Sequence, residues 1–175
     1  MERVALFGGR EYLAYLSLLV FSRGMDFLST WIATPNLLLE ANPIARKLRW
    51  KGNIVVNVAL CLAFACLPLT SIIISTTSVL VAARNFQNAW LMRSQGEVRY
   101  RAWFAHQVVE SPRGLFLACL LGQTLLIAAV GAALVVVTGC NEEAPLGIGL
   151  GIVGYALAVL LYTLLALWRN RRLAL

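Results

Sequence analysis

NIVVNVALCLAFACLPLTSIIISTTSVLVAARNFQNAWLM, residues 53–92, is the stretch whose reading decides the fold. As one helix these 40 residues would run about 60 Å at 1.5 Å per residue, twice the roughly 30 Å hydrocarbon thickness of a bilayer. Half of that apolar length would hang in water. As two helices joined by a tight turn near Pro68-Leu69-Thr70-Ser71, each arm matches one crossing. A hairpin is therefore expected, with spans over about 53–70 and 72–92.

The flanking charges give an independent reason for the hairpin. Arg46, Lys47, Arg49 and Lys51 precede the segment, and Arg93, Arg99, Arg101 and Arg113 follow it. Cytoplasmic loops carry the excess of Lys and Arg. A single crossing would put these two basic groups on opposite sides, whereas a hairpin puts them together. Arg169, Arg171 and Arg172, after the last apolar block, join the same side if the chain crosses five times. The other side then holds only Arg3 and Arg10, plus an acidic turn without a cation. The expected orientation in the plasma (inner) membrane is N-terminus outside and C-terminus in the cytoplasm.

Working outward, Leu115 to Thr138 and Leu146 to Trp168 are clean apolar blocks, so spans over 115–138 and 146–168 are expected, with a turn over 139–145 between them. The first span, about 12–33, carries Ser22, Arg23, Gly24 and Asp26. Tyr12–Phe21 resembles a signal-peptide core, but no small-residue cleavage site follows and the apolar pattern resumes with Met25, Phe27, Leu28 and Trp31, so an uncleaved helix is expected. Asn42-Pro43 reads as an N-cap followed by proline at the first helical position. The helix it opens, Ile44 to Lys51, is basic and amphipathic and should lie on the membrane surface. Val98 to Val109 reads as a second amphipathic stretch. The fold class is all-α: one membrane domain over 1–175, a bundle of five transmembrane helices with short surface helices.

Composition agrees. Of 175 residues, 60% are hydrophobic and 13% charged, against about 25% charged in soluble domains. The net charge of +7 lies beside the apolar blocks, so it points to anionic lipid headgroups rather than to nucleic acid. Cys61, Cys66, Cys119 and Cys140 form no C-x-x-C pair, and His106 is the sole histidine. Neither zinc nor bis-histidine haem fits that set, and no cofactor is expected.

Within the proposed spans the charged residues are Arg23, Asp26 and Arg84. An ionisable group at bilayer depth is a functional-site hypothesis by default. Asp26 and Arg84 each lie eight residues before a cytoplasmic span end, about 12 Å deep at 1.5 Å per residue. The same level offers Thr30, Asn53, Asn57, Asn85 and Asn88, with Glu40 and Asn42 in the loop between the first two spans. Asp26, Thr30, Glu40, Asn42, Asn57, Arg84, Asn85 and Asn88 are thus the candidate ligand-binding residues: carboxylates for charge, amides and a hydroxyl for orientation, and Arg84 to balance Asp26. The structural reading of the same residues is that Asp26 pairs with Arg84 or Arg23 and the amides bond between helices, holding the bundle together.

Other features read more plainly. Trp50, Trp90, Trp103 and Trp168 fit an aromatic belt. Gly147 and Gly151 form a G-x-x-x-G packing face. Thr70, Ser71, Ser75, Thr76, Thr77 and Ser78 are expected to bond back to helix carbonyls or line the turn.

Asp26-Phe-Leu-Ser29-Thr30 followed by Glu40-Ala-Asn42-Pro43 resembles a group of small uncharacterised prokaryotic multi-pass membrane proteins with D-x-x-(S/T)-T and E-x-N-P motifs. The resemblance covers about the first 60 residues and implies a shared local arrangement of Asp26, Thr30, Glu40 and Asn42. It implies no activity.

Three roles follow as expectations. The leading one is binding or transport of a cation or small polar ligand at the cytoplasm-facing cluster. The second is a non-catalytic subunit or assembly factor of a larger membrane complex, or a homo-oligomer. The third is an intramembrane enzyme acting on lipid or peptide with Asp26 or Glu40 as acid or base, although no H-E-x-x-H or G-x-S-x-G signature is present.

Overall fold

The computed structural model describes residues 4–139 and 142–173. Arg3 and the turn residues Cys140 and Asn141 lie outside the described residues, as do the side chains of Arg169, Arg171 and Arg172. Among the described residues there are six helices and no strand: α1 Arg10–Ala33, α2 Pro43–Phe64, α3 Pro68–Gln95, α4 Glu97–Glu110, α5 Arg113–Thr138 and α6 Glu143–Leu173.

The hairpin exists, but its turn is Ala65–Leu67 rather than 68–71. Pro68 does not break a helix here; it starts one, at a position whose N–H needs no partner. The Ser71 hydroxyl donates back to Phe64 O at 2.7 Å and closes the turn. Ala5 N–H donates to Cys66 O at 2.8 Å and Tyr12 OH to Leu62 O at 3.2 Å. The chain ahead of α1 therefore packs over this end, around the core of Ala5, Tyr12, Leu19, Cys61 and Ala65.

The Asn42 cap forms as expected, its Oδ1 accepting from Ile44 N at 2.9 Å and Ala45 N at 3.4 Å. The surface helix and the second span prove to be one element bent at Arg49, which has φ 56°. Asn53 Nδ2 donates to Ala45 O at 2.7 Å across the bend. Gly52 keeps the bend close: a Cβ there would meet Leu48 Cβ at 3.1 Å.

Three helices, Pro68–Gln95, Arg113–Thr138 and Glu143–Trp168, are long and apolar enough to cross a membrane, with mean hydropathies of 1.3, 2.4 and 2.3. The expected spans 12–33 and 53–70 are helical but fall short of that measure. Arg23 and Asp26 lower the first. In the second, the apolar part beyond the bend, 52–64, extends only about 20 Å at 1.5 Å per residue. The outward faces are nonetheless apolar: Val20, Phe21, Val55, Val58, Leu126, Val137 and Leu161 are all exposed.

α3 is the centre, packed between α1 and α6, with α5 on α6 and α2 lightly against α1 and α3. The α1–α3 seam is built of small residues. Ser22, Ser29, Ser71, Ser75, Ser78 and Ala82 are all at most 3% exposed, letting the backbones approach closely. The serine-rich stretch of α3 is thus a packing face; in place of the expected back-bonds, Ser71 bonds across the turn, Thr77 Oγ1 donates to Gly151 O of α6 at 3.0 Å and Ser75 Oγ is buried without a partner among the described residues. Contacts advance together along this pair, Arg23 with Ser78 and Ser29 with Asn85, so α1 and α3 run parallel. So do α3 and α6, where a Cβ on Gly147 would meet Ile72 Cβ at 2.8 Å and one on Gly151 would meet Thr76 Cβ at 2.7 Å. The G-x-x-x-G face is therefore occupied inside the chain. Gly131 and Gly149 let α5 and α6 close similarly, each Cβ meeting the other residue's carbonyl within 2.8 Å.

Candidate functional site

Parallel packing brings the C-terminal ends of α1, α3 and α6 to one end of the bundle. There a cavity of about 670 Å³ opens, within the range of ligand sites. α1 contributes Arg23, Asp26 and Thr30, which share a face because they recur every three or four residues, and Thr34 follows at its C-cap. α3 contributes Arg84, Asn85 and Asn88 on the same principle. α6 contributes Tyr155, Val159, Tyr162 and Ala166. α2 supplies Trp50, Asn53 and Asn57. The loop 34–42 and α4, with Tyr100, Arg101 and Phe104, close the end. Asp26, Thr30, Glu40, Asn42, Asn57, Arg84, Asn85 and Asn88 all line this one cavity.

Of the two pairings expected for Asp26, with Arg23 or with Arg84, the first forms. Asp26 takes its partner from its own helix: Arg23 Nη1 donates to Asp26 Oδ2 at 2.8 Å, with the two side chains 29% and 17% exposed. Arg23 also donates through Nε to Asn57 Oδ1 at 2.7 Å and through Nη1 to Ser78 Oγ at 3.0 Å. One guanidinium therefore ties α1, α2 and α3. Arg84, read as the charge balance for Asp26, makes no ion pair or hydrogen bond through its guanidinium among the described residues. Asn85 Nδ2 donates to Ser29 Oγ at 3.3 Å and Thr30 Oγ1 at 3.2 Å, so this amide does bridge helices. Asn88 Nδ2 turns back to Arg84 O at 3.1 Å, and Asn57 Nδ2 to Asn53 O at 2.8 Å.

The loop is held by groups the motif does not include. Glu97, at the start of α4 and buried, accepts from Asn36 N at 2.8 Å and Leu38 N at 3.3 Å. Trp50 Nε1 donates to Pro35 O at 2.8 Å and braces the loop. Trp90, Trp103 and Trp168 are exposed. Glu40 Oε1 accepts from Asn42 N at 2.8 Å. Burial pushes the Glu40 carboxyl above its ordinary value, against the pull of the Asn42 and Ala41 N–H groups and Arg46. His106 forms an exposed pair with Glu110 at 3.2 Å, away from the cavity lining.

Arg23 carried a visible signal, since it stands three residues before Asp26, but its reach to Asn57 and Ser78 depends on how three helices meet. Glu97 carried little: an acid after Gly96 in a basic segment. Among the described residues there is no group of three His, Cys, Asp or Glu side chains placed to hold a metal ion.

Comparison with known proteins returns no matching family model, no matching curated protein and no matching solved structure.

Proposed function

We propose that the chain is a five-span bundle in the plasma (inner) membrane, N-terminus outside, that binds a small polar ligand in its cytoplasm-facing cavity. The observation that carries the reading is convergence. Eight polar residues from α1, the loop, α2 and α3 line a single cavity, where hydrocarbon would otherwise force them apart or outward. Five spans are favoured by the parallel course of α1, α3 and α6, which requires a returning segment before α3 and another before α6. The exposed Val55 and Val58 of α2 suit lipid contact.

Among small polar ligands, a hard cation is the poorer fit. Oxygen-rich sites suit such ions, but Asp26 already serves Arg23 and Glu40 is held by loop amides. Transport would add an outward path to the same site.

The test is thermal unfolding of the purified full-length chain in detergent across a panel of polar metabolites, lipids and salts. At least one compound should raise the Tm of the natural chain and lose that effect in at least one folded variant of the lining, Asp26→Asn, Asn88→Leu or Arg84→Gln. A panel without any stabilising compound, or one whose compounds act equally on all three variants, would remove the reading.

A further inference from the structure

The cavity's charged groups do not balance. Its two carboxylates are engaged, Asp26 Oδ2 by Arg23 and Glu40 Oε1 by the Asn42 amide. The side-chain amide donors of Asn85 and Asn88 are engaged too. Two guanidinium groups of the lining, those of Arg84 and Arg101, form no ion pair or hydrogen bond among the described residues, and the hydroxyls of Tyr155 and Tyr162 stand in the same lining. The lining thus carries three cations, Arg23, Arg84 and Arg101, against two acids, Asp26 and Glu40, and Arg23 is already paired with Asp26. Such a surplus suits an anion rich in acceptor oxygens, and the planar guanidinium fork matches phosphate oxygens two at a time.

The walls are also unlike one another. The α1 and α2 side is polar, whereas the α6 side is mostly apolar, with Ala158, Val159, Ala166 and Leu167, the rings of Tyr155 and Tyr162, and one aliphatic hydroxyl, Thr163. From Tyr155 to Leu167 this stripe runs about 18 Å at 1.5 Å per residue, more than half of the roughly 30 Å hydrocarbon layer. A small hydrophilic anion would leave that stripe uncovered.

Resting on the ligand-binding reading above, we infer that the cavity takes an amphiphile whose phosphate-type headgroup is gripped by Arg84 and Arg101 and whose hydrocarbon lies along α6. Arg84, on the central helix, is the inner anchor. Arg101, on α4 at the end of the bundle, meets the headgroup from the other side.

Three probes separate the sources of such an anion: dioctanoyl phosphatidic acid, dioctanoylglycerol with the same tails and no phosphate, and inorganic phosphate alone. Each is titrated into the full-length chain in detergent, with Tm and intrinsic tryptophan fluorescence as readouts, since Trp50 lines the cavity. Phosphatidic acid should bind saturably and raise Tm more than either other probe. Arg84→Gln should weaken it about tenfold or more, the effect of losing a charge-assisted hydrogen bond. Arg99→Gln removes an equal charge from the exposed face of α4 and should change it less than about twofold. Ala158→Phe, which intrudes on the apolar wall, should weaken phosphatidic acid while leaving any inorganic phosphate response unchanged. Should Arg84→Gln fail to fold, Arg101→Gln serves the same comparison.

Equal stabilisation by inorganic phosphate and lipid, insensitive to Ala158→Phe, would overturn the amphiphile. So would equal losses in Arg84→Gln and Arg99→Gln, which would mean general charge attraction. No response to any of the three would overturn the anion assignment, while an uncharged ligand from the wider panel would leave the ligand-binding reading standing.

Discussion

Replacing Arg23 should unfasten three helices at once, and the size of the effect follows from its contacts. Arg23→Met keeps the length of the stem and deletes hydrogen bonds of 2.7 Å to Asn57, 2.8 Å to Asp26 and 3.0 Å to Ser78. Stranding one member of a fully buried ion pair costs about 3–5 kcal/mol. Here the side chains keep 29% and 17% of their exposure, so solvent screens part of that and about 2–3 kcal/mol remains. Asp26→Leu alone strands the arginine, which still has Asn57 and Ser78, and should cost less. The double replacement leaves neither charge stranded. It should therefore be more stable than the sum of the singles predicts, by about 1–2 kcal/mol, within the range for residues in one network. The assay is reversible unfolding of the full-length chain in mixed micelles by SDS titration, followed by tryptophan fluorescence. A parallel cycle with Arg84→Met and Asp26→Leu should be additive to within about 0.5 kcal/mol. Additivity in the Arg23 cycle, or a larger coupling in the Arg84 cycle, would refute the assignment of Arg23 as the partner of Asp26.

Three further outcomes are expected. A reporter fused after Lys51 should read as cytoplasmic, and an outside signal would overturn the five-span topology. Gly151→Ala should destabilise by about 1–3 kcal/mol through overpacking, because its Cβ would meet Thr76 Cβ at 2.7 Å, whereas Gly154→Ala meets nothing nearer than Thr77 Oγ1 at 3.6 Å and should be neutral or stabilising; SDS unfolding of the two variants side by side decides it. Glu40 has a raised folded value, so the stability linked to its protonated form is complete below the ordinary 4.5 and declines as pH rises through the folded value. Glu40→Gln should thus gain Tm relative to the natural chain as pH climbs from about 4.5 toward neutrality, and a constant difference across that range would show that Glu40 does not titrate in this way.

Much of this was legible in one dimension because its causes are local. Helix existence follows from apolar runs of bilayer length, the start of α2 from Asn42-Pro43, and the hairpin from an apolar segment too long for one crossing. The position of the turn, Ala65–Leu67, was less legible, since proline both ends and begins helices and only the hydrogen bond from Ser71 to Phe64 O decides which it does here. Convergence of the eight cavity residues was also legible, as matching depths along helices of known pitch place them at one level. Depth is one coordinate, however, and the partners at that depth require the other two. Whether Asp26 meets Arg23 or Arg84 depends on how α1 is rotated against α3, which the buried serines on both helices set. The packing of α3 on α6 consumes the glycine face of α6 inside the chain, and Arg84 is left in the cavity lining. Periodicity fixes where a residue stands on its own helix; the angle at which helices meet is a property of their packed surfaces, and it is that angle which decided which charges are paired and which are not.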